Sequence, residues 1–269
     1  MLKQRILTAL ILAPLAIAGI FFLPPLGFAI FIAIVLIIGA WEWANLAGFN
    51  GLSRYVYAAC IAILLIATHI IPAKIVLLLG AVWWLTAFIL VVKYPSLKEY
   101  WAKQWVISCI GVFSLVPGFT ALLVLKQSND SSFLILLLFF LIWGADIGAY
   151  FSGRALGNKK LAPEVSPGKS WEGFIGGAIA ALIIAIGMLY WLDKSDLSFT
   201  RTVVFLIGCT VVVMISVLGD LTESMFKRNR GIKDSSNLLP GHGGILDRVD
   251  SLLSAGPIFA LLIIAFGWT

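Results

Sequence analysis

The chain has 269 residues, of which 61% are hydrophobic and only 12% charged. Its mean hydropathy of +1.04 excludes a soluble globular domain. The net charge of +6 comes from 19 Lys and Arg against 13 Asp and Glu, and no nucleic-acid partner is expected.

Nine apolar stretches, each long enough to cross a bilayer core of roughly 30 Å, are expected at about 6–23, 27–47, 55–71, 75–92, 106–124, 133–149, 174–192, 202–219 and 252–268. The fold class is therefore all-α, a polytopic integral membrane protein. Lys3 and Arg5 ahead of Ala16-Ile17-Ala18 resemble a cleavable signal peptide. Because span after span follows, an uncleaved first helix is the favoured reading. Pro24-Pro25, Asn50-Gly51, Pro72 and Pro95 separate the first five spans. Glu42, between Trp41 and Trp43, reads as an interfacial anchor. His69 reads as a loop residue, and Trp83-Trp84 fall near mid-span, where the aromatic-belt rule gives them no role. Cys60, Cys109 and Cys209 are scattered in apolar runs and have neither disulfide nor metal spacing.

Alternating the loops between two sides gives a test by charge. One side receives Lys3, Arg5, Arg54, Lys93, Lys98, Lys103, Arg154, Lys159, Lys160, Lys169 and the five basic residues of the last loop. The other receives Lys74, Lys126, Lys194 and Arg201. Fifteen against four places the N-terminus in the cytoplasm and the C-terminus outside. Most acids fall on the cytoplasmic side as well, as expected of a reaction site rather than simple attraction to anionic lipid heads.

Two polar segments interrupt the oily pattern. Residues 146–172 begin with Asp146 near the inner end of a span, where acids are functional candidates by default. Arg154, Lys159, Lys160 and Lys169 follow. Ser166-Pro167-Gly168-Lys169-Ser170 reads as a turn offering hydroxyls and a cation to phosphate oxygens.

The second segment, 220–250, has Asp220 and Glu223 at the end of the eighth span, three residues apart on one helical face. Lys227, Arg228 and Lys233-Asp234 follow, then Gly241-His242-Gly243-Gly244, whose glycines would let backbone amides approach phosphate. Asp247 and Asp250, also three apart, open the ninth span on one face and could share a divalent ion. Each piece alone also fits a structural role: Asp247 as a helix cap, Asp250 as a first-turn acid, Lys227 and Arg228 as loop anchors.

The run from Ser224 to Asp250 resembles the signature of the phosphatidate cytidylyltransferases, also called CDP-diacylglycerol synthases. Ser224, Phe226, Lys227-Arg228, Lys233-Asp234, Ser236, His242-Gly243-Gly244, Asp247-Arg248 and Asp250 all match its pattern. The resemblance implies transfer of CMP from CTP to phosphatidate, with Mg²⁺ required, potassium as a second cation and a homodimer. It implies a polar cavity open to the cytoplasm and the bilayer, in a bacterial inner membrane.

On that reading Asp220, Lys227, Arg228, Asp247 and Asp250 are catalytic, with Asp247 and Asp250 holding Mg²⁺ and Asp220 as a further ligand or second-cation partner. Lys227, Arg228 and Lys233 would neutralise phosphate oxygens. Ser224 and Arg248 would orient them, and Gly243-Gly244 would admit them. His242, Asp146, Ser166 and Lys169 complete the substrate-binding set. Residues 1–130 are expected to form an N-terminal membrane region and 131–269 the catalytic region with its loops at 150–173 and 220–251. A CTP-dependent polyprenol or phytol kinase and a membrane transporter remain as alternatives, although no internal repeat of the transporter kind is evident.

Overall fold

The computed structural model describes residue 10 and residues 14–191 and 198–268. Helical backbone over residues 14–22 leads into α1 (Pro25–Leu46). Pro25 takes the first helical position, whose N–H has no intrahelical partner in any residue type. α2 (Leu52–Ala67) starts after Gly51 and tightens into a 3₁₀ turn at Thr68–Ile70. α3 (Ala73–Val92) follows Pro72, and a short α4 (Lys98–Trp101) leads to α5 (Gln104–Gln127). α6 (Ser131–Leu156) and α7 (Trp171–Trp191) flank an antiparallel hairpin of β1 (Lys160–Ala162) and β2 (Ser166–Ser170). The chain ends with α8 (Phe199–Arg230) and α9 (Leu246–Phe266).

Among the described residues, 8 helices are long and apolar enough to cross a membrane, counting α2 with its 3₁₀ extension. The chain is an all-α polytopic membrane protein. The expected first span, 6–23, lies partly outside the described residues, so eight spans rather than nine are counted. Outward-facing Leu85, Phe88 and Ile89 of α3 are more than half exposed, as a lipid-facing surface requires. Trp83 and Trp84 are instead buried in the interior, which accounts for their mid-span position.

Two elements differ from expectation in ways that shape the site. α8 does not stop at 219 but runs to Arg230, because Leu, Met, Glu, Lys and Arg beyond the apolar stretch are all good helix formers. It stops at Gly231, left-handed at φ 75°, where the Ile232 N–H donates to the Lys227 carbonyl at 3.0 Å. The segment Ser166–Ser170 is not a turn but strand β2. The reversal is made by residues 163–165, with the Val165 N–H donating to the Ala162 carbonyl at 3.2 Å. α9 packs against α8, α5, α3 and α1, so the start of the last helix is surrounded by both halves of the chain.

Candidate active site

On α8, Asp220, Glu223, Ser224 and Lys227 recur at three- and four-residue spacing and share one face. That face meets the start of α9. The two helices approach closely at Gly219, where any Cβ would overlap the Ser254 hydroxyl and the Asp250 carbonyl.

Lys227 is the central cation. Its Nζ lies 2.7 Å from Asp247 Oδ1 and 3.4 Å from Glu223 Oε1, with only 11% of its side chain exposed. Burial of such a charge is tolerated only when it is paired. The Asp247 carboxylate is in turn saturated by the protein. Its Oδ2 accepts from the Gly244 N–H at 2.7 Å, and from the N–H and hydroxyl of Ser235 at 3.0 Å each.

The N–H groups at the start of α9 have no intrahelical acceptors. Those of Ile245 and Leu246 donate to the two oxygens of Glu42, at 3.0 and 2.6 Å. The same carboxylate accepts from the Ser236 and Ser235 hydroxyls at 2.5 and 3.2 Å. Glu42 has 0% exposure. It is therefore no interfacial anchor: it reaches from α1 to cap the last helix, where the helix dipole favours an anion. The signal that could have found it was an acid within an apolar span.

The glycines serve these carboxylates. A Cβ at Gly244 would overlap both the Ser235 hydroxyl and the Glu42 carboxylate. Gly243 is left-handed at φ 81°, and its carbonyl accepts from the Leu239 N–H at 2.8 Å. Gly244 thus admits the chain's own acids, and its amide donates to Asp247.

A second cluster joins α8 to the hairpin. Lys169 Nζ of β2 lies 2.6 Å from Asp220 Oδ2, and the Ser224 hydroxyl donates to Asp220 Oδ1 at 3.3 Å. Arg228 Nε donates to the Val165 carbonyl at 3.3 Å, pinning the hairpin turn to α8. Between α6, the hairpin, α7 and α8 lies a cavity of about 380 Å³ whose lining includes Asp146, Tyr150, Arg154, Lys169, Ser170 and Phe174. Ser170 lines it and Ser166 does not; Ser166 pairs with Ala162 in the sheet instead. Lys233 stays exposed beyond the helix end. Arg248 Nε donates to the His242 carbonyl at 3.2 Å, and His242 Nδ1 is buried without a hydrogen-bond partner.

Residues 3–266 match the model of the Cytidylyltransferase family. The chain belongs to that family. It is 52% identical over 271 residues to the phosphatidate cytidylyltransferase of Pseudomonas aeruginosa, covering 100% of this chain and 99% of that protein. It is 41% identical to the phosphatidate cytidylyltransferase of Haemophilus influenzae, over 97% of this chain and 98% of the relative. The namesake from Staphylococcus aureus strain COL matches at 47% over 131 residues, 48% of each chain.

The family site can be tested against the cation its resemblance implies. Among the described residues, no three of His, Cys, Asp and Glu form a ready-made metal cluster. Mg²⁺ needs none, since it keeps several waters and takes one or two carboxylates plus phosphate oxygens. Both oxygens of Glu223 are buried, with Lys227 Nζ 3.4 Å from Oε1 and the Asp250 carboxyl beside them. Asp250 lies beside Glu223 and within electrostatic reach of Asp220. The four acids Asp220, Glu223, Asp247 and Asp250 outnumber the paired cations Lys169 and Lys227, and the donor set fits a cation. Asp220 is engaged by Lys169 and Ser224 and Asp247 by Lys227, Ser235 and Gly244, while Asp250 lies between them with the Ser251 N–H on one oxygen.

Proposed function

We propose that the chain is a phosphatidate cytidylyltransferase, transferring CMP from CTP to phosphatidate and releasing pyrophosphate. The observation that carries this reading is the convergence on one face of α8 of two ion pairs, Lys227–Asp247 within the family signature and Lys169–Asp220 just ahead of it in the fold. A phosphate oxygen of the lipid forms a bond to the α-phosphorus of CTP as the bond to the pyrophosphate oxygen breaks. The nucleophile is already an anion, so the protein needs no strong base. Its work is positioning and charge neutralisation.

Lys169 and Arg154, at the wall of the larger cavity, face the nucleotide phosphates, with Asp220 holding Lys169 in place. Tyr150 and Phe174 give the same cavity aromatic surface for a base. Lys227 and Asp247 keep Glu223 and the loop in register. Asp220 and Asp250 would hold Mg²⁺, which when bound supplies neutralisation of the triphosphate charge. The excess of basic residues on the loops at 150–173 and 220–251 supports a cytoplasmic orientation for the site, where CTP is available.

The test is purified protein in detergent with α-labelled CTP, phosphatidate and Mg²⁺. Label in lipid together with released pyrophosphate is the expected result. Release of free CDP without labelled lipid would replace this reading with a lipid kinase.

A further inference from the structure

Where α1, α3, α5, α8 and α9 meet, a cavity of about 10 Å³ lies beside the acids of the site, with Trp84, Ser114, Thr222, Glu223 and Asp250 among its walls. That is roughly the room a single water needs, and a buried water typically takes about three hydrogen-bonding partners.

The polar groups around it fall into two sets. Trp43 Nε1, also at the wall, donates to the Ile107 carbonyl at 2.8 Å, and the Thr222 hydroxyl to the Leu218 carbonyl at 2.7 Å. Trp84 Nε1 and Ser114 Oγ have no hydrogen-bond partner among the described residues, although Trp84 is only 3% exposed and Ser114 0%. Ser114 is the sharper anomaly. On the same helix the Ser108 and Thr120 hydroxyls donate to the carbonyl one turn back, at 2.7 and 3.0 Å. A buried hydroxyl that leaves this ready bond unmade is costly unless something else engages it. Trp41, Trp83 and Trp101 also bury indole nitrogens without a partner among the described residues, but none of them lines this cavity.

The chemistry of the walls selects the occupant. An indole N–H only donates, a carboxylate accepts, and a hydroxyl does either. A cation would meet the positive end of the Trp84 N–H, whereas a water accepts from it and still has two protons to give. We propose that the cavity holds one ordered water, which accepts from Trp84 Nε1–H, shares a hydrogen bond with Ser114 and donates to the Glu223 carboxyl. Trp84 and Ser114 are then positioning residues. From α3 and α5, outside the family signature, they fix the acid that lies 3.4 Å from Lys227 and beside Asp250. The water's part in turnover rests on the cytidylyl-transfer reading; its presence does not.

The test begins with the parental chain, deuterated and ¹⁵N-labelled at tryptophan, in detergent micelles. The Trp84 indole N–H, assigned by its loss in Trp84→Phe, should show a nuclear Overhauser effect to a long-lived water despite its burial. Absence of that cross-peak would overturn the proposal.

Two variants then separate the water from the hydroxyl. Ser114→Val fills the space with a methyl group; it should abolish the cross-peak and lower kcat at least about tenfold, with KM for CTP and phosphatidate unchanged. Ser114→Ala removes the same hydroxyl but leaves room for the water; it should keep the cross-peak and lose only about threefold. Equal losses in the two variants, or parental kcat in Ser114→Val, would overturn the positioning role. Should Ser114→Val fail to fold, Trp84→Phe carries the kinetic test: it removes the N–H and should lower kcat without moving KM, and parental kcat there overturns the role. A parental chain that makes no lipid-linked CMP defeats the reaction reading, while its spectrum still decides the water.

Discussion

Replacing Glu42 by Gln keeps the side chain's shape and removes its charge. The carboxylate accepts from two backbone N–H groups and from two hydroxyls, of which Ser235 shares its one proton with Asp247. An amide offers one acceptor oxygen, which keeps two of them. Its NH₂ then meets a hydroxyl, which can turn to accept, and a backbone N–H, which cannot. One buried donor is left unpaired, at a cost of about 1–3 kcal/mol. The remaining bonds lose their charge assistance, adding ~1 kcal/mol. The expected loss of about 3 kcal/mol is a large part of the roughly 5–15 kcal/mol that holds a typical protein folded. Reversible unfolding of purified protein in mixed micelles measures it directly. Turnover should also fall at temperatures where the variant remains folded, because Ser235 and Gly244, which hold Asp247, lose their support. A variant within about 0.5 kcal/mol of the parent and with full turnover would refute the capping role.

Other substitutions separate the remaining roles. Asp247→Asn leaves Lys227 buried with a weakened partner and should cost ~3–5 kcal/mol of stability along with activity, as chemical denaturation and a CTP turnover assay would show. Asp250→Asn should raise the Mg²⁺ concentration needed for half-maximal turnover; an unchanged magnesium titration would remove Asp250 from the cation site. The Lys169–Asp220 pair is partly exposed, at 26% and 36% of its side chains. Lys169→Gln should therefore change stability by less than about 1 kcal/mol. It should nevertheless slow turnover by about tenfold, ~1.4 kcal/mol of lost transition-state stabilisation. Gly244→Ala should destabilise the fold strongly through overlap with Ser235 and Glu42, and a melting temperature equal to the parent's would contradict that packing.

Hydropathy made most of the helices legible because lipid-facing and interior residues are both apolar, and expected and observed spans differ mainly at their ends. The same blindness hid the interior: nothing in the local sequence tells buried Trp84 from exposed Leu85. α8 was underestimated because an apolar run marks where the bilayer ends, not where a helix does; Gly231 was the overlooked stop signal. In 160–170, Pro167-Gly168 drew attention as a turn, while the reversal falls at 163–165 beside Pro163. Spacing brings the signature residues into view but does not reveal which of them face one another. Lys227 and Asp247 are mutual partners, a fact that depends on α8 meeting α9. Glu42 was missed for the same reason: its partners are 193 to 204 residues away in sequence.

That separation matters while the chain is being made. Glu42 leaves the ribosome long before the hydrogen-bond donors that satisfy it, and a carboxylate without partners is a poor resident of the bilayer interior. The donors from Ser235, Ser236, Ile245 and Leu246 therefore reach Glu42 only once α9 is inserted in the correct sense. A chain truncated ahead of α9, or with its last helix inverted, leaves that acid uncapped in the membrane and exposes the defect to surveillance. The carboxylate of α1 and the loop that carries the signature are thus completed together, by the arrival of the last helix.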